Sequence, residues 1–286
     1  MAPVPPMTRA CVPASAGSVD SEICAGIVDA IGTETFFSQA GKLLEGYMSY
    51  EGLNILLYSE NNAPTCLKSF KMAINFQAGL ENFLTYTYII NPVYRAFQDN
   101  IAPATYLIGD LLPVGYTELI ANTDLNIWID DKETIGYRTP GWPKHLTEVL
   151  ALIRLPDNKM IEFSFMTALS GDQTEKCHTL LKKIYPVLSS AILKHFEFAA
   201  QDFDVSESKP SQEYRFQEFG KDILTSREQD ITKLILIGHS SNSIGLNLDI
   251  SLPTVKTHRR NIYSKLQISS QAELFNLFVK NLMTNQ

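Results

Sequence analysis

The side chains best placed to do chemistry in this chain sit close together near its C-terminal end. Projecting the segment from Val255 to Leu266 at about 100° per residue puts Val255, Ile262 and Leu266 on one stripe and Lys256, Thr257, Arg260 and Ser264 on the opposite one. The apolar stripe requires a core, so the polar stripe faces outward. Arg and Lys pair with the O6 and N7 acceptors of guanine in the DNA major groove, and a helix inserted there reads bases with its N-terminal half. Lys256, Thr257 and Arg260 are therefore candidate base-contacting residues. Arg259 and Lys265 flank that face, and with Ser240, Ser241 and Thr254 they suit phosphate contacts. An isolated basic run is usually a solvated helix face, so the argument turns on the elements around it.

Those elements carry clear start and stop signals. Thr225 and Glu228 form a T-x-x-E capping box, which predicts a helix from Ser226 carrying Ile231, Leu234 and Ile235 and stopping near Gly238. A second short helix is predicted from about Ser241 to Leu248. Ser251 precedes Leu252-Pro253, and proline is tolerated in a first helical turn because the N–H groups there lack intrahelical acceptors. Ser270 with Glu273 opens a fourth helix rich in Leu274, Phe275, Leu277 and Phe278. Short capped helices in this succession make a compact bundle.

The order T-V-K-x-H-x-x-N-I-x-x-K-L from Thr254 to Leu266 resembles the LuxR-type (NarL/FixJ class) helix-turn-helix of transcriptional regulators. That resemblance implies double-stranded DNA as partner. It assigns base contacts to the lysine of T-V-K, the next residue and the position four after the lysine: Lys256, Thr257 and Arg260, the set that projection gives. The chain departs from the family at Asn242 and Ser243, where Lys and Glu are usual, at Gly245 in place of Ala, and at Thr232 in place of Leu. Gly245 inside a helix should cost roughly 1 kcal/mol relative to alanine. His258 belongs to the motif, yet its angle puts it at the edge of the core.

Charge separates this module from the rest. Residues 224–286 hold seven Lys/Arg against four acids, a net of +3, which leaves −10 on residues 1–223 of a chain whose total is −7. Non-specific DNA affinity grows with phosphates neutralised, so an acidic chain with one basic module fits a regulator docked through that module, as a homodimer, better than a protein coating nucleic acid. With 286 residues and 45% hydrophobic content, the chain can bury a second, full-sized core. The division expected is a disordered Pro/Ala/Ser-rich tail over 1–19, a ligand-sensing domain over 20–200, a polar linker over 201–222 and the helix-turn-helix domain over 223–286. Cys11, Cys24, Cys66 and Cys177 are scattered without metal or disulfide spacing, the N-terminus lacks a signal-peptide h-region, and no stretch reaches the roughly 20 apolar residues of a membrane span. A cytoplasmic location is expected.

In the larger domain, helical spacing over Ser21–Ile31 and Glu34–Met48 precedes strand-like Leu53–Tyr58 and Cys66–Lys71. An apolar helix over Asn75–Ile90 follows, then a hairpin of two long strands about Pro156-Asp157-Asn158, and a helix from Asp172 to Phe198 bent at Pro186. The expected fold class is α+β: an α/β/α sandwich on an antiparallel sheet, followed by the four-helix DNA-binding module. The element order resembles GAF/PAS-like sensors and the autoinducer-binding domain of LuxR-type regulators. The latter carries a Trp-x-x-x-Tyr pair ahead of Asp-Pro, whereas here Ala78 and Asn82 stand in those places and Asn91-Pro92 replaces the dipeptide, which puts an acyl-homoserine lactone signal in doubt. What remains is an aromatic cluster, Tyr86, Tyr88, Tyr94, Phe97 and Tyr106, beside Asn91, Arg95 and Asp99. Tyr88, Asn91, Tyr94 and Asp99 are the candidate ligand-binding residues for a small-molecule effector. No metal spacing, phosphate loop or nucleophile motif occurs, so neither cofactor nor enzyme activity is expected. Two alternatives stay open: an N-terminal domain that docks a protein partner, and, for the module, the promoter-reading region of a sigma factor. Asp130-Asp131 lies too far into the chain for a phospho-receiver site and reads as a turn.

Overall fold

The computed structural model describes residues 19–60, 62–71, 74–85, 87–112, 128–129, 133–134, 146–169, 172–199 and 212–284. The expected tail up to residue 18, Tyr86, the Asp130-Asp131 pair and the first half of the expected linker, 201–211, lie outside them. Two helices, α1 (Val19–Asp29) and α2 (Phe36–Tyr47), lead into strands β1 (Gly52–Tyr58) and β2 (Thr65–Phe70). Next come α3 (Ile74–Thr85), a 3-10 turn (Thr87–Ile90), α4 (Pro92–Gln98), β3 (Ala104–Leu107) and a second 3-10 turn (Ile108–Leu111). Short strands β4 (Trp128–Ile129) and β5 (Glu133–Thr134) pair with each other; β6 (Leu146–Leu155), β7 (Lys159–Ala168) and the long helix α5 (Gln173–Phe198) complete the domain.

The main sheet has the order β2-β1-β7-β6-β3, and all its pairings are antiparallel. Alternation along the strands sorts its two faces. Leu53, Ile55, Leu57, Val149, Ala151, Ile153, Ile161, Phe163 and Phe165 point to a core closed by α1, α2 and α5. Leu56, Tyr58, Leu150, Leu152 and Met160 point the other way, against Phe83, Tyr88, Ile89, Val93, Tyr94 and Phe97 of α3, the first 3-10 turn and α4. The sandwich read from the sequence is present. The β6–β7 hairpin turns at Asp157 (φ 57°) and Asn158 (φ 50°), with the Lys159 amide donating to the Pro156 carbonyl. Two successive left-handed residues make a type I′ turn, whose twist matches that of the strands. One boundary differs from expectation: the predicted Asn75–Ile90 helix divides into α3 and the 3-10 turn. The expected Asp172–Phe198 helix is present as α5, with Asp172 as its N-cap residue and Pro186 inside it.

Helices α6 (Gln212–Glu218), α7 (Ser226–Leu236), α8 (Ser241–Leu248), α9 (Leu252–Lys265) and α10 (Gln271–Thr284) form the C-terminal module. Helix α6 falls inside the stretch expected to be linker. It belongs to the bundle: the Phe216 ring stacks on Phe278 at 5.2 Å, and Phe219 meets Phe278 edge-on at 5.1 Å.

Candidate nucleic-acid interface

Helix α9 is held at both ends. Its N-cap is Ser251, whose hydroxyl accepts the Thr254 amide at 3.3 Å, with Pro253 in the first turn. It ends on Leu266 with Gln267 at φ 57°, the Ile268 amide returning to the Tyr263 carbonyl at 2.9 Å. The preceding helices are fixed the same way. Thr225 and Glu228 close the predicted capping box, the Thr225 amide donating to Glu228 Oε2 at 2.8 Å and the Glu228 amide to Thr225 Oγ1 at 3.3 Å. Gly238, at φ 95°, stops α7: its amide bonds the Ile235 carbonyl and the His239 amide bonds the Leu234 carbonyl, the Schellman pair. Ser240 caps α8 by accepting the Ser243 amide at 3.1 Å. At α10 the predicted box shifts by one residue: Ser270 accepts the Glu273 amide, but the Glu273 carboxylate reaches back to the Ser269 amide at 2.7 Å.

Packing then rotates α9. Val255 and Ile262 are fully buried with Ile231, Ile235, Ile244, Leu274 and Phe278. Lys256, Thr257, Arg260 and Ser264 are exposed together, as the projection requires. The Thr257 hydroxyl donates to the Pro253 carbonyl at 3.0 Å, so its methyl and oxygen are presented in one orientation. Gly245 is where α8 meets the start of α9: a Cβ there would lie 2.8 Å from the Ile250 carbonyl oxygen. Glycine is required by that approach, which the helix-propensity argument could not see.

The residues expected at phosphates divide. Thr254 is exposed at the N-terminus of α9. Arg259 is turned inward, 8% exposed, donating to Tyr263 Oη at 3.1 Å, Gln271 Oε1 at 3.0 Å and Ser241 Oγ at 3.5 Å. This guanidinium ties α9 to α8 and α10, and Ser241 is buried with it. Lys265 donates to the buried carboxylate of Glu228 at 2.6 Å. Burial raises the Glu228 pKa, but Lys265 and Thr225 overcome that and hold it below its ordinary value. Ser240 is committed to its cap. His258 is half-buried at the core edge, as expected.

In the N-terminal domain, Tyr88 and Tyr94 are both 2% exposed and meet edge-on at 4.9 Å, with Tyr58 at 6.1 Å from Tyr94. The two polar candidates do not join them. Asn91 caps α4, its Oδ1 accepting the Val93 amide at 2.7 Å. Asp99 has a side chain 66% exposed, at 3.4 Å from Arg95, because the one-turn spacing places both on the solvent side of α4. The buried polar groups of this face stand instead on the strands, where sequence reasoning did not look. Tyr58 donates to Glu162 at 2.5 Å, Ser164 to Glu148 at 2.7 Å and Ser69 to Asn54 at 2.8 Å. Burial, and then the neighbouring Glu148, push the Glu162 carboxyl up to about 8. The signal was available: Glu162 and Ser164 alternate with Ile161, Phe163 and Phe165 on a strand buried from both sides. Among the described residues, no His/Cys/Asp/Glu group could hold a metal ion. Arg215, on α6, lies 6.0 Å from the centre of the Tyr88 ring and so joins the C-terminal module to this aromatic layer.

With this geometry in place, the family of the C-terminal module follows. The family model for bacterial regulatory proteins of the luxR family matches residues 222–278. The C-terminal module belongs to the luxR family. A putative HTH-type transcriptional regulator in the exeN 3′ region of Aeromonas salmonicida is 41% identical over 81 residues, 28% of this chain and 41% of that protein. The monoamine regulon transcriptional regulator of Klebsiella aerogenes is 46% identical over 52 residues, 18% of this chain and 23% of that protein. The matched stretch is thus less than half the length of either relative. The crystal structure of the VqsR LBD domain from Pseudomonas aeruginosa overlaps 64% of this chain and 99% of that one at 14% identity and TM-score 0.42, an overlap that fixes neither ligand nor activity. The luxR-family module carries Lys256, Thr257 and Arg260 on its exposed helix face.

Proposed function

We propose that this chain is a sequence-specific transcriptional regulator that binds a palindromic operator as a homodimer and is controlled by a small molecule taken up in its N-terminal domain. The observation that carries the DNA-binding reading is the face of α9. Lys256, Thr257 and Arg260 are exposed side by side on a helix fixed by Ser251 at one end and by the inward Arg259 and Lys265 at the other. A base-reading helix must hold its donors to a fraction of an ångström, and these contacts supply that rigidity. Phosphate contact falls to Thr254 at the α9 N-terminus, where the helix dipole favours an anion. The moderately basic module set against an acidic remainder suits a dimer, since two modules double the phosphates neutralised.

The expected dimer contacts are the exposed part of α10 and the end of α5. Phe198 (67% exposed) and Leu193 (40%) on α5 and Val28 (50%) on α1 are exposed apolar side chains. They also favour the second reading, in which the N-terminal domain docks a protein. None of the described helices is long and apolar enough to cross a membrane. The test is selection of a binding site from random DNA with the full chain, followed by footprinting. Two protected half-sites about one helical turn apart are expected, and one isolated half-site bound at full affinity would refute the dimer.

A further inference from the structure

The outward face of α9 is not uniformly polar. Pro253 and Thr257 are exposed on it one turn apart, with Lys256 and Arg260 to one side of them. The Thr257 hydroxyl donates to the Pro253 carbonyl at 3.0 Å. A threonine hydroxyl bonded to the carbonyl four residues back is drawn against its own helix, so the methyl is the group the side chain offers outward. Pro253 brings no donor either, because its nitrogen carries no hydrogen. The pair makes a small apolar spot beside two cations. In the major groove thymine alone presents a methyl group, at C5; guanine presents acceptors suited to Lys256 and Arg260, and adenine and cytosine present N–H donors without a methyl.

We infer that Thr257 determines specificity by packing its methyl against the C5-methyl of a thymine in each half-site, and makes no hydrogen bond to a base edge. The inference rests on the reading of α9 as a base-contacting helix. A threonine that read adenine N6 or cytosine N4 would have to turn its oxygen into the groove, and the bond to Pro253 holds that oxygen back. The helix also places the thymine. Thr257 and Arg260 are one turn apart, so their Cβ atoms stand about 5–6 Å from each other, against a base-pair step of about 3.4 Å. The thymine therefore lies one or two base pairs from the guanine that Arg260 contacts.

Uracil is thymine without that methyl. The test is therefore a scan of deoxyuridine through the thymines of both strands of the operator that the full chain selects from random DNA. At one thymine per half-site the replacement should weaken binding about fourfold, the worth of burying one aliphatic carbon, and about fifteenfold when both half-sites carry it. Thr257→Val keeps the methyl and loses the hydroxyl, and should keep the preference for thymine over uracil. Thr257→Ser keeps the hydroxyl and loses the methyl, and should bind the two operators equally. A serine variant that still prefers thymine would give the methyl contact to another residue, and a valine variant that loses the preference would give the reading to the hydroxyl; either result overturns the inference. An operator whose half-sites hold no thymine, or one on which every uridine is tolerated, does the same. The scan on the unaltered chain decides by itself if a substitution upsets the fold. Selection that enriches no sequence would refute sequence-specific binding altogether, whereas an enriched site with a flat uridine scan refutes the thymine contact alone.

Discussion

Replacing Gly245 by alanine sets two effects of opposite sign against each other. Helix propensity alone favours alanine by roughly 1 kcal/mol in a helix interior. The new Cβ, however, would stand 2.8 Å from the Ile250 carbonyl oxygen, closer than such atoms approach, with Val255 Cγ2 at 3.8 Å behind it. The obstacle is backbone and cannot swing aside. It is also pinned, because the Ile250 amide donates to the Gly245 carbonyl at 3.0 Å and Ser251, the next residue, caps α9. Forcing a methyl into a well-packed site costs about 1–3 kcal/mol. The balance is a net loss of up to about 2 kcal/mol, which for a module of this size lowers its melting temperature by several degrees. Because relief requires α9 to move relative to α8, operator affinity should fall further than stability alone accounts for. Thermal unfolding of the full chain followed by circular dichroism, with operator titration well below the transition, measures both. A Gly245→Ala chain that melts higher and binds DNA normally would show that propensity decides this position and that the close approach is relaxed without cost.

Arg260→Ala should lose about 1–3 kcal/mol on the selected operator while random DNA is bound nearly as before; equal losses on both would reassign Arg260 to phosphate. Arg259→Ala should instead destabilise the module by roughly 2 kcal/mol, since truncation strands Gln271 and Tyr263, and leave the salt dependence of DNA binding unchanged; a slope reduced by about one would place Arg259 on the DNA backbone. The two domains should respond to pH in opposite directions. Glu162, pushed up to about 8 from 4.5, holds a proton in the folded state that the unfolded chain has released. The N-terminal domain therefore loses on the order of a few kcal/mol as pH rises from about 4.5 to 8, and Glu162→Gln should flatten that dependence. Glu228 is held below its ordinary 4.5, so its contribution is present at neutral pH and is lost on acidification. Melting curves of Glu162→Gln and Glu228→Gln from pH 4 to 9 that matched the unaltered chain would refute this assignment.

Much of the module was legible because its signals are local. Thr225 with Glu228, Gly238, Ser251 ahead of Pro253, and the 3.6-residue apolar period each depend on neighbours within a turn or two, so the sequence located α7 to α10 and the outward face of α9, while α6 was read as linker. The sandwich was legible for the same reason, down to the hairpin turning at Pro156-Asp157-Asn158. Tertiary structure decided what distant residues do to one another. Arg259 and Arg260 are adjacent and chemically identical; the helical step already carries the first to about 40° from Val255, and the partners Gln271, Tyr263 and Ser241, brought there by the fold, hold it buried while the second stays on the surface. Lys265 is drawn to Glu228 across 37 positions, and Gly245 is required by a carbonyl that only the α8–α9 angle brings near. In the N-terminal domain, one-turn spacing let Asn91 and Asp99 look like partners of the tyrosines, whereas a cap and a surface ion pair claim them. The polar groups that share the aromatic face come from strands β1, β6 and β7, which meet only when the sheet forms. Capping and periodicity are short-range and can be read from sequence; charge satisfaction and close approach are long-range and exist only in the folded chain.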